Sequence, residues 1–273
     1  MLPVFVLCII AAVIIGLIAG KPFWQRRKRA QITSKAFPKA WRSIIQKRVP
    51  YFRKMPSDLQ LQLKKHIQVF LAEKKFIGCN GVVINDDIRV TIAAQACLLL
   101  LNRKTDFYPK LKRILVYPRA FVKSHQSANP DGVHFFQNSI LAGESWEQGT
   151  VVLSWQDTIS GAHLPDDGHN VVIHEFAHQL DQENGSANGA PRLARNQSLR
   201  KWADVLSEEF AILNTQMANG EPSIFDYYGA SNPAEFFAVA SEVFFEKPHD
   251  LKRFHPKLYE QLSAYYMVNP VIW

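Results

Sequence analysis

The segment HNVVIHEFAHQLD (residues 169–181) contains the pattern H-E-x-x-H, at His174, Glu175 and His178, within a run that is typical of a helix. At about 3.6 residues per turn, the two histidines stack one turn apart on the same face. Two imidazole nitrogens can therefore converge on one Zn²⁺ ion. Glu175 projects about 100° around the helix, near enough to take a proton from a water molecule without being a ligand itself.

The same segment also predicts how its helix is oriented. Apolar residues recur at the spacing i, i+3, i+4, i+7, and they are Ile173, Phe176, Ala177 and Leu180. This stripe is predicted to pack inward, while His174 and His178 share the other side with Asp181. Asp181 could hydrogen-bond a ligand histidine or be an exposed helix carboxylate.

A catalytic zinc site needs a third protein ligand, and the candidates lie in SNPAEFFAVASEVFFEKP (residues 231–248). Glu235 and Glu242 are seven residues apart, nearly on the same face of a predicted helix, and Glu246 lies one turn further on. Glu235 has an alternative role, because Asn232, Pro233 and Glu235 are spaced as a capping box. Spacing alone does not separate the two glutamates.

The remaining pattern predicts many helices and few strands. Helices are predicted over residues 57–74, 90–101, 171–183, 198–213, 233–246 and 256–266, and strands over residues 82–84, 113–118 and 151–155. Because the two types do not alternate regularly, this order favours an α+β domain with a small sheet. The strand at 151–155 could pair with an extended peptide if it lay at an edge of the sheet.

Composition and charge exclude several classes of protein. The 273 residues are 47% hydrophobic and 21% charged, which supports a sizeable core and excludes disordered, collagen-like and coiled-coil proteins. The net charge of +8 is uneven: residues 1–57 contain twelve basic residues and no acidic one, whereas residues 58–273 carry a net charge of −4. The mildly acidic body argues against a nucleic-acid-binding protein.

Leu2 to Gly20 form a run of nineteen residues without a charge, just long enough to cross a bilayer core of about 30 Å. This run predicts a transmembrane helix. The alternative, a cleaved signal peptide, would have a positive charge before the apolar run and small residues at the cleavage site. The positive-inside rule then places residues 21–273 in the cytoplasm. The expected organisation is an anchor over 1–20, a basic juxtamembrane linker over 21–56, and a folded domain over 57–273.

Several long runs carry a family resemblance, namely RVTIAAQACLLLL (89–101), GESW followed by VVLSW (143–155), HNVVIHEFAHQLD (169–181) and YYGASNPAEFFAVASEVFFEKP (227–248). Over residues 55–270 the chain resembles the Mlc titration factor A family. These are bacterial zinc peptidases of the gluzincin type, with a catalytic core similar to that of anthrax lethal factor. The resemblance implies a mostly helical, zincin-like metallopeptidase domain over 57–273 that binds one Zn²⁺ ion.

The resemblance also implies residue roles. In this family the two motif histidines and a downstream glutamate bind zinc, and a tyrosine seven residues before that glutamate helps to stabilise the transition state. The matching positions here are His174, His178, Glu235 and Tyr228. Glu242 then becomes an outer or structural carboxylate, and the neighbouring Tyr227 is the alternative to Tyr228.

The expected function is a zinc peptidase at the bacterial inner membrane that faces the cytoplasm, is aminopeptidase-like, and is linked to the regulation of sugar transport. Glu175 would act as general base and Tyr228 would donate a hydrogen bond to the oxyanion. The expected partners are a peptide or protein substrate, a transcriptional repressor and membrane lipid, with no nucleic acid. The rival function is a non-enzymatic zinc protein that sequesters a repressor. The intact Glu175 favours the enzyme, because a structural zinc site needs no general base.

Overall fold

The computed structural model describes residues 16, 20–103, 106–128, 134–141, 143–146, 149–163 and 166–273. The chain divides into two compact units, Met1–Phe37 and Pro38–Trp273. In the first unit, residues 20–33 form helix α1. The second unit contains every other helix and strand described below.

The fold class predicted from the sequence needs one correction, which concerns the transmembrane helix at residues 2–20. Within the described ranges, no helix is long and apolar enough to cross a membrane. Of the predicted span, only Gly16 and Gly20 are described, and the rest lies outside the described residues. Helix α1 carries five basic residues between residues 21 and 29. The fold that the described residues support is therefore a mostly helical domain with a small sheet. The inner-membrane location stays a prediction.

Three helices form the first part of the second unit: α2 (Lys39–Arg48), α3 (Ser57–Glu73) and α4 (Asp86–Leu98). Helix α4 is buried along most of its length, as its apolar sequence predicts, and it packs against both α2 and α3. The side-chain oxygen of Asn85 caps α4 by accepting a hydrogen bond from the Ile88 N–H at 3.0 Å. Because α2 packs on α4, the compact unit includes residues that the sequence interpretation assigned to the linker.

A four-stranded sheet lies next to these helices, in the order β1 (Lys75–Gly78), β2 (Arg113–Tyr117), β6 (Thr150–Ser154) and β5 (Gly143–Trp146). The first three strands are parallel, and β5 is antiparallel to β6. Two further strands, β3 (Phe121–Ala128) and β4 (His134–Leu141), form a separate antiparallel pair. Since β6 has a neighbour on both sides, it is not an edge; the edge strand on this side is β5.

The strand predicted at residues 82–84 is wrong, and the chain forms β1 instead. Pairing with β2 decides this, because Phe76 and Ile77 lie opposite Ile114 and Leu115. A turn follows β1 at Asn80 and Gly81, which have positive φ angles of 49° and 84°. Residues 82–84 then lead directly into the cap of α4.

The second half of this unit is helical and contains α5 (Trp155–His163), α6 (Val171–Asp181), α7 (Leu199–Asn219), α8 (Pro233–Glu246), α9 (Pro248–Phe254) and α10 (Pro256–Tyr266). A short 3-10 helix at Tyr227–Ala230 precedes α8. Helix α6 is central, because it packs against α4, α5 and α8 as well as against β5 and β6. The bounds of α8 and α10 were predicted from the sequence, whereas α5, α9 and the β3–β4 pair were not.

The predicted apolar stripe of α6 is confirmed, since Ile173, Phe176, Ala177 and Leu180 are each 0% exposed. The Phe176 ring packs against Tyr108, with 4.8 Å between the ring centroids, and against Phe70 at 5.7 Å. This contact fixes which side of α6 enters the core, so the opposite side is turned toward α8.

Asp181, at the end of α6, has neither of the two roles considered for it. Its side chain is buried, and Oδ2 accepts hydrogen bonds from the N–H groups of Asn188 and Gly189 at 2.8 and 2.7 Å. It therefore holds the loop that follows α6.

Candidate metal centre

Helix α6 places its two histidines side by side. The helix begins directly after Asn170, whose side-chain oxygen accepts a hydrogen bond from the Ile173 N–H at 3.0 Å. This cap fixes the first turn, and His174 and His178 follow on the side away from the core stripe. Their Nε2 atoms lie 3.2 Å apart.

Helix α8 brings Glu235 to the same point. The side-chain oxygen of Asn232 accepts hydrogen bonds from the N–H groups of Ala234 and Glu235, both at 3.0 Å. The Glu235 carboxylate is directed at the histidines, with Oε2 2.9 Å from His174 Nε2 and 3.2 Å from His178 Nε2. Capping by Asn232 and a ligand role for Glu235 are thus compatible.

The three converging atoms fit a metal ion. They lie 2.9–3.2 Å from one another, close to the edge of about 3.3 Å for a tetrahedron of ligands about 2.0–2.1 Å from zinc. His174 Nδ1 is 2.8 Å from Glu242 Oε1, so its N–H can donate there and leave a lone pair on Nε2. Lone pairs on Nε2 of both histidines and on the Glu235 oxygen repel one another unless a cation or a proton lies between them. A single metal ion satisfies all three.

The electrostatics of the cluster also favour a cation. Burial raises the pKa of Glu235, but the hydrogen bonds with His174 and His178 outweigh it and lower the pKa to about 2. Burial lowers the pKa of His174, but Glu235 and Glu242 raise it well above its usual value. Both shifts show that positive charge is stabilised where the three side chains meet.

A cavity of about 360 Å³ opens beside this cluster, and its lining includes His174, Glu175, Tyr228 and Glu242. Glu175 is only 4% exposed, and its negative charge acts on both His174 and Tyr228. It thus lies beside the converging atoms but outside the set of three. This is a position from which a carboxylate can exchange protons with a molecule in the cavity.

Tyr228, rather than Tyr227, faces the cluster. Its ring lies 5.9 Å from the His174 ring, while the hydroxyl of Tyr227 donates to the carbonyl of Glu221. Burial raises the pKa of Tyr228 to about 12, with a further contribution from the negative charges of Glu235 and Glu175. Tyr228 therefore keeps its proton at neutral pH and can donate a hydrogen bond.

The sequence interpretation missed the contribution of Asn170. Its side chain was readable as a helix cap from its position before VVI, but its other contacts come from α8. The Asn170 N–H donates to Glu242 Oε2, and Nδ2 donates to Glu246 Oε1 at 2.9 Å. No local pattern predicts contacts across more than 70 residues.

Comparison with known proteins identifies the family. The profile of the glucose-regulated metallo-peptidase M90 family matches residues 23–267. The chain is 40% identical over 274 residues to the uncharacterized protein slr2042 of Synechocystis sp., covering 100% of this chain and 99% of that protein. It is 30% identical over 226 residues to Mlc titration factor A of Yersinia pestis (strain Pestoides F), covering 82% of this chain and 83% of that protein. Mlc titration factor A of Yersinia pseudotuberculosis (strain IP 31758) matches to the same extent.

These matches span α6 and α8, which hold the converging side chains. They also explain the long runs, outside the H-E-x-x-H pattern, that carried the resemblance. The family is one of metal-dependent peptidases, so a metal ion and peptide substrates belong to its chemistry. The chain belongs to the Mlc titration factor A family of metallopeptidases, M90.

Proposed function

We propose that this protein is a zinc-dependent peptidase of the gluzincin type, in which His174, His178 and Glu235 hold one Zn²⁺ ion. The observation that carries the proposal is that one ligand atom from each side chain lies within 4.8 Å of the others, beside the buried Glu175. Two imidazoles and one carboxylate are a common ligand set of catalytic zinc. When bound, zinc supplies a Lewis acid that polarises the scissile carbonyl and lowers the pKa of water.

Two side chains of the cavity would transfer protons and stabilise the developing negative charge. A Glu175 carboxylate oxygen takes a proton from the attacking water and then passes it to the nitrogen of the leaving amine. The Tyr228 hydroxyl donates a hydrogen bond to the substrate oxygen on which negative charge develops.

The substrate we propose is a peptide with a free amino terminus. Three carboxylates beyond the cluster, those of Asp157, Asp167 and Asp226, also line the cavity, and no described lining residue is a lysine or an arginine. Such a lining attracts an ammonium group. Strand β5 packs against α6 and is the last strand of its sheet in the described part of the chain, so an extended peptide could add beside it.

The test compares the full chain with its Glu175→Gln variant. Zinc content is measured, together with hydrolysis of a peptide panel in free and N-acetylated forms. Both proteins should bind about one zinc ion, and the variant should hydrolyse peptides about 10²–10⁴-fold more slowly, the usual contribution of a general base. Free peptides should be preferred to acetylated ones. If the wild type binds zinc and cleaves nothing, or if the variant cleaves at the same rate, this proposal is wrong.

A second candidate function is capture of a transcriptional repressor without catalysis, which would link the protein to sugar transport. It is favoured by the name of the 30% identical relative, which refers to titration of Mlc. Purified Mlc can be tested for binding to the wild type and to Glu175→Gln. Equal binding by both proteins, with no peptide hydrolysis by either, would favour this second function.

A further inference from the structure

Asn170 links the two helices that carry the converging side chains. It is 2% exposed, and its groups point in different directions. The side-chain oxygen caps α6, the side-chain amide donates to Glu246 Oε1 at 2.9 Å, and the backbone N–H donates to Glu242 Oε2. The other carboxylate oxygen of Glu242, Oε1, contacts His174 Nδ1. A continuous path of hydrogen bonds thus runs from Glu246 through Asn170 and Glu242 to His174.

We propose that Asn170 is a positioning residue, which orients His174 for zinc by holding the Glu242 and Glu246 carboxyl groups of α8 against the start of α6. This inference deepens the proposed function and rests on it. Helix capping alone would need only the Asn170 side-chain oxygen. The positioning role that we propose also needs the side-chain amide, which donates a hydrogen bond to Glu246 Oε1.

The chemistry of Glu246 explains why an amide is suited to this position. Glu242 and Glu246 lie one turn apart on α8, and both are buried. Burial raises the pKa of Glu246 to about 9; the hydrogen bond from Asn170 acts in the opposite direction, and the charges of Glu242 and Asp167 add to the rise. At neutral pH Glu246 is therefore an uncharged acid, and its Oε1 accepts a hydrogen bond from the Asn170 amide.

Asn170→Asp isolates this role. Aspartate caps helices about as well as asparagine, and the backbone N–H to Glu242 is unchanged. The substitution removes the amide donor and adds a carboxylate beside two others. Zinc affinity of the full chain, measured by competition with a chelator of known affinity, should fall, but by less than the loss of about 10–100-fold expected when a group in direct contact with a ligand is removed. The absorption spectrum of the Co²⁺-loaded protein should shift as well.

Asn85→Asp is the matched control. Asn85 caps α4 with the same geometry, accepting from the Ile88 N–H at 3.0 Å, and it is not part of the zinc cluster. The zinc affinity of the Asn85→Asp variant should equal that of the wild type. Equal losses in both variants would mean that the effect comes from helix capping and would overturn the inference.

A second substitution should restore the site by reversing the hydrogen bond. In Asn170→Asp/Glu246→Gln, the new amide at position 246 can donate to the new carboxylate at position 170. Zinc affinity and the Co²⁺ spectrum should return most of the way to wild type, while Glu246→Gln alone should cost less than Asn170→Asp. Failure of the double variant to recover would overturn the inference.

Folding and function are separated by two further measurements. Circular dichroism of the chelator-treated proteins checks that each is folded; if Asn170→Asp does not fold, Asn170→Ser keeps a capping oxygen, removes the amide, and should show the same loss of affinity. Wild-type protein that binds zinc without hydrolysing peptides would defeat the peptidase proposal and leave the Asn170 result standing. Wild-type protein that binds no zinc would overturn both.

Discussion

Glu235 and Glu242 lie on one helix face, yet each meets a different atom of the same imidazole. Glu235 Oε2 lies 2.9 Å from His174 Nε2, and Glu242 Oε1 lies 2.8 Å from Nδ1. One carboxylate therefore shares the metal side of the ring, while the other fixes its tautomer. The sequence spacing could not distinguish them, because the difference arises from how α8 is placed against α6.

This difference can be tested by removing each carboxylate. Glu235→Ala deletes one of the three converging atoms and should abolish tight zinc binding. Glu242→Ala should lower zinc affinity about 10–100-fold, because a ligand stays in place but loses its orienting partner. Zinc content after dialysis against a graded series of chelators measures both. The reverse order of effects would reassign the third ligand.

Glu246 should make the stability of the folded protein depend on pH. Its pKa rises from an ordinary value of 4.5 to about 9 in the folded state. Between these values the folded chain keeps a proton that the unfolded chain has released, so stability is lost as pH rises, by up to about 1.4 kcal/mol per pH unit. Glu246→Gln lacks this titration, and its free energy of unfolding should fall less between pH 6 and pH 9.

Denaturant unfolding at both pH values, with the same zinc concentration, measures the difference. Glu260→Gln is the control, because Glu260 is exposed on α10 and its substitution should leave the pH dependence of the wild type unchanged. If Glu246→Gln and the wild type lose the same stability, Glu246 is ionised in the folded protein.

At the scale of elements, the position of α6 depends on its apolar face, which lies opposite the two histidines. Phe176 is fully buried between Tyr108 and Phe70 and comes from the same turn as the histidines. Phe176→Ala should lower the free energy of unfolding by about 3–5 kcal/mol, the usual cost of emptying such a site. Urea unfolding of the chelator-treated protein measures this loss. A loss below 1 kcal/mol would show that α6 is held mainly by other contacts.

Helices with strong local signals were predicted well, whereas pairing between distant segments was not. Asn232 and Pro233 mark the start of α8, and Pro256 marks the start of α10. The first residue of each helix could therefore be predicted from the sequence. Strand β1 has its partner β2 almost forty residues later, and nothing local favours 75–78 over 82–84. The two histidines were predicted because H-E-x-x-H is a local pattern. The family resemblance selected Glu235 over Glu242 and supplied Tyr228.

At the scale of the whole molecule, the charge of +8 does not describe the catalytic unit. Residues 1–37 contain six basic residues and no acidic one, so the compact unit over residues 38–273 carries a net charge of +2. The described basic residues of the N-terminal unit lie mainly on α1. The carboxylates that line the cavity, and not the net charge of this unit, are what favours the proposed ammonium-bearing substrate.

The separation of the converging residues along the chain bears on how the protein acquires its metal. His174 and Glu235 are 61 residues apart, so a nascent or unfolded chain offers only the two histidines of one helical turn. The complete centre forms only after α6 and α8 have docked, which makes metal uptake a late event in folding. In the proposed zinc peptidase, zinc is therefore a ligand of the native state and stabilises it by mass action, by about 2.7 kcal/mol when free zinc is a hundred times its Kd.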